Sequence, residues 1–114
     1  MNGFIATIIT SGLIFTQLPS AIAGVPLGAI QLKNLVPGRY NVTFMGVSNM
    51  TVTLRTNGTI TGSAKGAIDS GYWKLSGNEI CIVWNKWLGG YAHCSGLISE
   101  AGHYQGSGFT ITPI

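Results

Sequence analysis

Charge is what this chain has least of. Only 8% of its 114 residues are Asp, Glu, Lys or Arg, against about 25% in an ordinary soluble domain. The acids are Asp69, Glu79 and Glu100, each alone in sequence. The cations are Lys33, Arg39, Arg55, Lys65, Lys74 and Lys86, with no two closer than six positions. The net charge of +3 and the pI of about 9.1 therefore come from scarce acids, not abundant bases. A nucleic-acid surface needs a basic cluster or stripe with aromatics between, so no nucleic-acid partner is expected. Helix-favouring Glu, Lys and Arg are few while Gly, Thr and Ser are many. That balance points to strands and turns.

Catalytic signatures are missing too. No G-x-S-x-G, H-E-x-x-H or phosphate-binding loop occurs. The two histidines, His93 and His103, are too few for a structural zinc site, which takes four ligands. The expectation is a protein that is not an enzyme and holds no cofactor or metal. A haem or metal site, or an enzyme, using His93 and His103 stands as the lesser alternative.

The N-terminus lacks charge altogether, with no charged side chain before Lys33. An apolar run over residues 4–15 is followed by Pro19 and then Ser20-Ala21-Ile22-Ala23. This is the apolar core and A-x-A ending of a secretory signal, although the front end has no Lys or Arg. The alternative is a retained membrane anchor, but the run falls short of the roughly 20 residues needed to span a bilayer. Residues 1–23 are read as a signal peptide and residues 24–114 as a single β domain, secreted or periplasmic, with no stable membrane anchor after cleavage. A domain of that size is marginal without a staple. Its two cysteines, Cys81 and Cys94, are most simply a disulfide in an exporting compartment.

What the chain does have is a series of short alternating segments. Residues 24–35 are apolar and irregular and read as a leader strand or linker before the Pro37-Gly38 turn. Residues 39–45 place Tyr40, Val42 and Phe44 on one face; residues 50–55 place Met50, Val52 and Leu54 likewise. Between Leu54 and Ile60, a two-residue Asn57-Gly58 loop would put those two side chains on opposite faces. A three-residue loop, Thr56-Asn57-Gly58 with a left-handed Gly58, keeps them on one face and is preferred. Residues 60–65 continue as a weak strand. Residues 72–75 follow with Trp73 and Leu75 inward, and Gly77-Asn78 turns the chain into residues 79–84. Residues 91–98, 103–105 and 109–112 complete the series, with a bend at Gly106-Ser107-Gly108. No convincing helical period follows residue 30. The fold class expected is all-β: a small antiparallel barrel or curled sheet of about seven or eight short strands with one disulfide.

Pairing Cys81 directly with Cys94 sets a hairpin register that matches Ile82 with His93, Val83 with Ala92 and Trp84 with Tyr91. Residues 85–90 become the loop. Ile80, Ile82, Trp84, Tyr91, His93, Ser95 and Leu97 then share the bulkier face, taken as inner. His93 on that face is either a hydrogen-bonded core histidine or part of a ligand pocket. Trp87, in the loop, is either an interface anchor or a plug over an open barrel end; Tyr72 falls outward. Three N-x-T sequons, at Asn41, Asn49 and Asn57, are either glycan acceptors or a by-product of Thr-rich strands.

The run Asn57-Gly58-Thr59, Gly71-Tyr72-Trp73, Gly77-Asn78-Glu79-Ile80-Cys81-Ile82-Val83-Trp84 and Cys94 resembles small exported bacterial β-proteins of uncharacterised families. These look like lipocalin-like or half-barrel domains of the periplasm. A looser similarity exists to periplasmic protease and lysozyme inhibitors, but no inhibitory motif maps onto this chain residue by residue. The resemblance spans residues 55–95 and implies architecture, not activity. The functional expectation is a non-enzymatic binding module that recognises a protein or small apolar ligand through Trp84, Trp87, Tyr91 and His93. A structural or self-assembling exported protein is the alternative, so an oligomer is a second kind of partner.

Overall fold

A computed structural model describes residues 24–44 and 48–114. The signal-peptide expectation, and the end of the strand expected over 39–45, lie outside the described residues. The described chain is almost entirely antiparallel sheet. Its elements are β1 (Val25–Pro26), α1 (Ala29–Lys33), β2 (Gly38–Phe44), β3 (Ser48–Leu54), β4 (Thr59–Ala64), β5 (Ala67–Ser76), β6 (Glu79–Trp84), β7 (Ala92–Ser95), β8 (Ile98–Glu100), β9 (His103–Gly106) and β10 (Phe109–Pro113). A short 3-10 segment, Trp87–Gly90, joins β6 to β7. The ten strands form one sheet ordered β1-β8-β9-β10-β2-β3-β4-β5-β6-β7, curled into a half-barrel.

Period-two alternation builds that sheet, because a curled sheet buries one face and wets the other. Tyr40, Val42, Val52, Leu54, Ile60, Ile80 and Trp84 point inward and are buried. Their neighbours Asn41, Ser63, Tyr72 and Lys74 face out and are exposed. The β3–β4 connection is the three-residue loop that alternation demanded: Leu54 pairs with Ile60, Gly58 has φ 88°, and Arg55 N–H donates to the Thr59 carbonyl. The outward Asn and Thr residues of the sequons also pair across strands or turns. Thr43 Oγ1 donates to Asn49 Oδ1, and Thr59 donates from both its N–H and its hydroxyl to Asn57 Oδ1.

Three departures from the sequence reading have local causes. The strand count is ten, because Val25–Pro26 pair as β1 and the strand expected over 91–98 becomes both β7 and β8, while the strand expected over 72–75 starts earlier, at Ala67, after a turn at Lys65-Gly66. Residues 24–35 hold the short leader strand β1 but also, unexpectedly, α1, whose Leu32 is completely buried and which packs on β5 and β6. The strand expected over 91–98 is split. Residues 92–95 pair with β6, whereas Ile98–Glu100 pair with β9 on the other side.

This split joins the sheet to itself. β6 and β9 lie near opposite margins of the strand order, and one extended run, 92–100, adds to both. Counting antiparallel neighbours around the sheet gives β7 and β8 the same direction, so the chain passes straight from one margin to the other through Gly96 and Leu97. Leu97 is buried there and its carbonyl accepts the Leu27 N–H at 2.9 Å. Leu27, α1 and Leu35 thus seal this end of the barrel, and Tyr40 Oη donates to the Leu35 carbonyl. Burial raises the Tyr40 phenol pKa, with the charge of Tyr104 adding to the effect.

The disulfide joins Cys81 to Cys94 within the register Ile80–Ser95, Cys81–Cys94, Ile82–His93, Val83–Ala92. It sits on the outer side of the hairpin, yet Cys81 is only 3% exposed. Among the described residues no helix is long and apolar enough to cross a membrane.

Candidate binding cavity

The inner face encloses a cavity of about 260 Å³. Its wall is mostly aliphatic, with Val42, Val52, Leu54, Ile60, Ile80 and Ile82 contributed by β2, β3, β4 and β6. Phe44 and Phe109 stack beside it, centroids 6.5 Å apart and planes 16° from parallel. Trp84 lines it from β6. Ser95 on β7 contributes only a small side chain to this wall.

Gly62 carries the aromatic pair. Trp84 and Trp87 meet at 4.9 Å between centroids, tilted by 55°. A Cβ on Gly62 would lie 2.6 Å from the Trp87 ring and 2.7 Å from the Trp84 ring. The two indoles therefore lie directly on the Gly62 backbone, and glycine is what lets them approach. Trp84 is buried and Trp87 half-buried, so Trp87 folds back over Trp84 rather than standing free in its loop.

Asp69 fixes that loop. By the alternation of β5 it shares the inward face with Gly71, Trp73 and Leu75, and it is 5% exposed. Its Oδ2 accepts the backbone N–H of Lys86 at 2.8 Å and of Trp87 at 2.9 Å. The Asn85 N–H donates to the Ser70 carbonyl beside it. Burial pushes the carboxyl pKa up. Hydrogen bonds from the Trp87, Lys86 and Ser70 N–H groups, with the Lys86 charge, outweigh burial and hold it below the usual carboxylate value. Sequence reading had left Asp69 as an isolated acid. The signal available was its parity with Trp73 and Leu75, which places an acid on an apolar face where it must find donors.

The four residues expected to form a site do not stay together. Trp84 and His93 line the cavity. Trp87 touches Trp84 from above. Tyr91 is 75% exposed and lies beyond the last ladder pair, Val83–Ala92. Its expected inward facing, opposite Trp84, is corrected: left-handed Leu88, Gly89 and Gly90 turn the chain before the ladder begins, so strand alternation does not reach Tyr91. Tyr72 does face outward and is exposed. His93 and His103 are not brought together either. His103 pairs with Glu100, seven positions along the extended run from His93, roughly 20 Å at strand rise. Among the described residues no group of three or more His, Cys, Asp or Glu could hold a metal.

The polar atoms of the lining are few. Tyr40 has its hydroxyl committed to Leu35. The remaining nitrogen- or oxygen-bearing side chains are Trp84, with its indole N–H, and His93, Ser95 and Ser107, and no Lys or Arg is present. His93 Nε2 is 3.4 Å from the Leu88 carbonyl. Ser95 Oγ donates to the Gly96 carbonyl and accepts the Ser107 N–H at 3.0 Å. His93, Cys94, Ser107 and Leu88 are also the exposed members of the lining. The opening and the polarity therefore coincide along the free side of β7, where the sheet margin is not closed by a backbone ladder. Sequence reading missed Ser107 and Phe109 because both arrive from the opposite margin of the strand order.

No protein-family model matches the chain, and no curated protein or solved structure is significantly similar to it.

Proposed function

We propose that the protein is an exported, non-enzymatic binding module that takes a small apolar ligand into the barrel. The observation that carries this is the cavity itself: about 260 Å³ with an almost wholly apolar lining. A dry apolar cavity of about 150 Å³ holds a benzene-sized molecule, whereas drug-sized ligands occupy about 300–1,000 Å³. One small molecule or a single hydrocarbon chain is the size that suits this space. The disulfide and the secretion-like N-terminal sequence support an extracytoplasmic location. Trp84 on the wall is a built-in reporter. Titration of the purified protein with n-octane should shift tryptophan emission and saturate at one ligand per chain. A flat titration, with no rise in thermal stability, sinks this reading.

A second reading, assembly through the sheet margin, rests on a different observation. The two margins are guarded unequally: β1 is two residues long and ends in Pro26, whereas β7 is Ala-His-Cys-Ser, with no Lys or Pro. Unprotected strand edges pair with other strands. Light scattering that gives a monomer at high concentration excludes it.

A further inference from the structure

The placement of the polar lining says more than that the ligand is apolar. It says which end of the ligand is polar and what charge that end carries. We propose that the ligand is a single-chain amphiphile with an uncharged, hydrogen-bonding head group. Its chain lies in the cavity, and its head sits at the β7 margin against His93 and Ser107. This rests on the cavity being a ligand site, as proposed above.

Three observations converge. The polar side chains His93, Ser95 and Ser107 gather at the margin where β7 has no strand partner, and the rest of the wall is apolar apart from the committed Tyr40 hydroxyl and the Trp84 indole N–H. Their proximity is fixed by structure: Ser95 lies two residues from His93 on the same face of β7, and its Oγ accepts the Ser107 N–H at 3.0 Å. Within that group Ser95 is already occupied as both donor and acceptor. The Ser107 hydroxyl and the His93 ring, both exposed, are left to meet a ligand. A fully apolar ligand would leave them merely solvated; an amphiphile would bond them.

The head group's charge follows from what is absent from the lining. No Lys or Arg reaches the cavity, and a carboxylate or phosphate drawn to its mouth would give up hydration without a fixed cation in return. No Asp or Glu is in the lining either, so a cationic head finds no counter-charge there. An alcohol, amide or ester head is accommodated by one hydroxyl and one imidazole.

The test compares three eight-carbon probes on the purified, disulfide-intact protein: n-octane, 1-octanol and octanoate. Tryptophan emission is followed at about pH 8, where carboxylates are ionised. Octanol should bind at least tenfold more tightly than octanoate. Ser107→Ala with His93→Leu should lower octanol affinity about tenfold relative to octane, as two lost hydrogen bonds of ordinary worth predict. Octanoate binding as well as octanol overturns the proposal, and so does equal weakening of octane and octanol in the double variant. The comparison of octanol with octanoate needs no variant and stands however the double variant folds. If none of the three binds, the cavity reading itself fails. If octane binds and head-group chemistry is irrelevant, only the present proposal fails.

Discussion

Residues 92–95 and 98–100 lie in one extended run, two residues apart, yet they are held in different ways. β8 has a strand on each side, β1 and β9. β7 has β6 on one side only, and towards the other margin a single bond from the Ser107 N–H to the Ser95 hydroxyl. The half with two strand partners meets buried Leu97 at its start; the half with one carries the disulfide, and Ala92, His93 and Cys94 are exposed. The contrast shows how a small sheet can join its margins without completing a ladder. Ladders on both sides hold β8, whereas β7, open on one side, is tied to its single ladder partner by the disulfide as well. A cavity in such a barrel opens at the wet half, and its polar residues belong there because those backbone groups already require water.

The sharpest way to break that contrast is at the joint. Leu97→Ala removes a buried side chain at the point where both margins meet and should cost about 2–5 kcal/mol in denaturant unfolding. A cost below that of a surface change would mean the margins are not joined there. Next comes the staple. Replacing Cys81 and Cys94 together by Ala reopens a 13-residue separation and should cost about 3 kcal/mol in the chain-entropy model. Amide exchange should then quicken on β7 while β8 keeps its protection; equal quickening on both halves would remove the distinction. Gly62→Val tests the loop side of the cavity. The new side chain meets both indoles, and overpacking of this kind costs about 1–3 kcal/mol. Tryptophan emission should shift to the red as Trp87 is displaced. An unchanged spectrum would place the ring contact elsewhere.

The same contrast explains what the sequence made legible. The hairpin register through Cys81 and Cys94 and the Leu54–Ile60 pairing followed from alternation plus one constraint each: a covalent bond in the first, a shared apolar face in the second. Both are local. The run 92–100 keeps its alternation throughout, so nothing in it marks the point at which its pairing partner changes from β6 to β9; that change is set by strands far away in sequence. The turn at Lys65-Gly66 was hidden because its left-handed first residue, φ 50°, is a lysine rather than the Asn or Asp that normally signals such a turn. The five residues of α1 are too few to show a helical period. At the cavity, Trp84 and His93 were legible as inward residues of a stapled hairpin. Ser107 and Phe109 were not, because they meet that hairpin only through barrel curvature.

Asp69 separates the loop from the strand it hangs on. Its folded pKa lies below the usual carboxylate value, so its contribution to stability is present above the unfolded value of about 3.9. That contribution is lost as pH falls through the lower folded value. Acid should therefore loosen the Trp84–Trp87 pair before it unfolds the sheet, with emission changing ahead of the far-ultraviolet signal. Asp69→Asn keeps an acceptor for the Lys86 and Trp87 N–H groups but cannot titrate. Its stability should show a flatter acid limb than the native protein. An identical acid limb would mean that Asp69 does not govern it.

The smallest effect belongs to Tyr91. It is a large aromatic at the top of the stapled half, and sequence alternation aimed it inward. It is 75% exposed instead, and its ladder position is empty because the pairing stops at Val83–Ala92. Tyr91→Ser should change stability by no more than about 0.5 kcal/mol, as an exposed position free of special contacts does. It should also leave octanol affinity as it was, since Tyr91 is not part of the cavity lining. A loss of affinity with stability intact would bring Tyr91 back over the mouth in the liganded protein. The open margin of β7 would then close on its ligand through the loop rather than stay fixed by the disulfide.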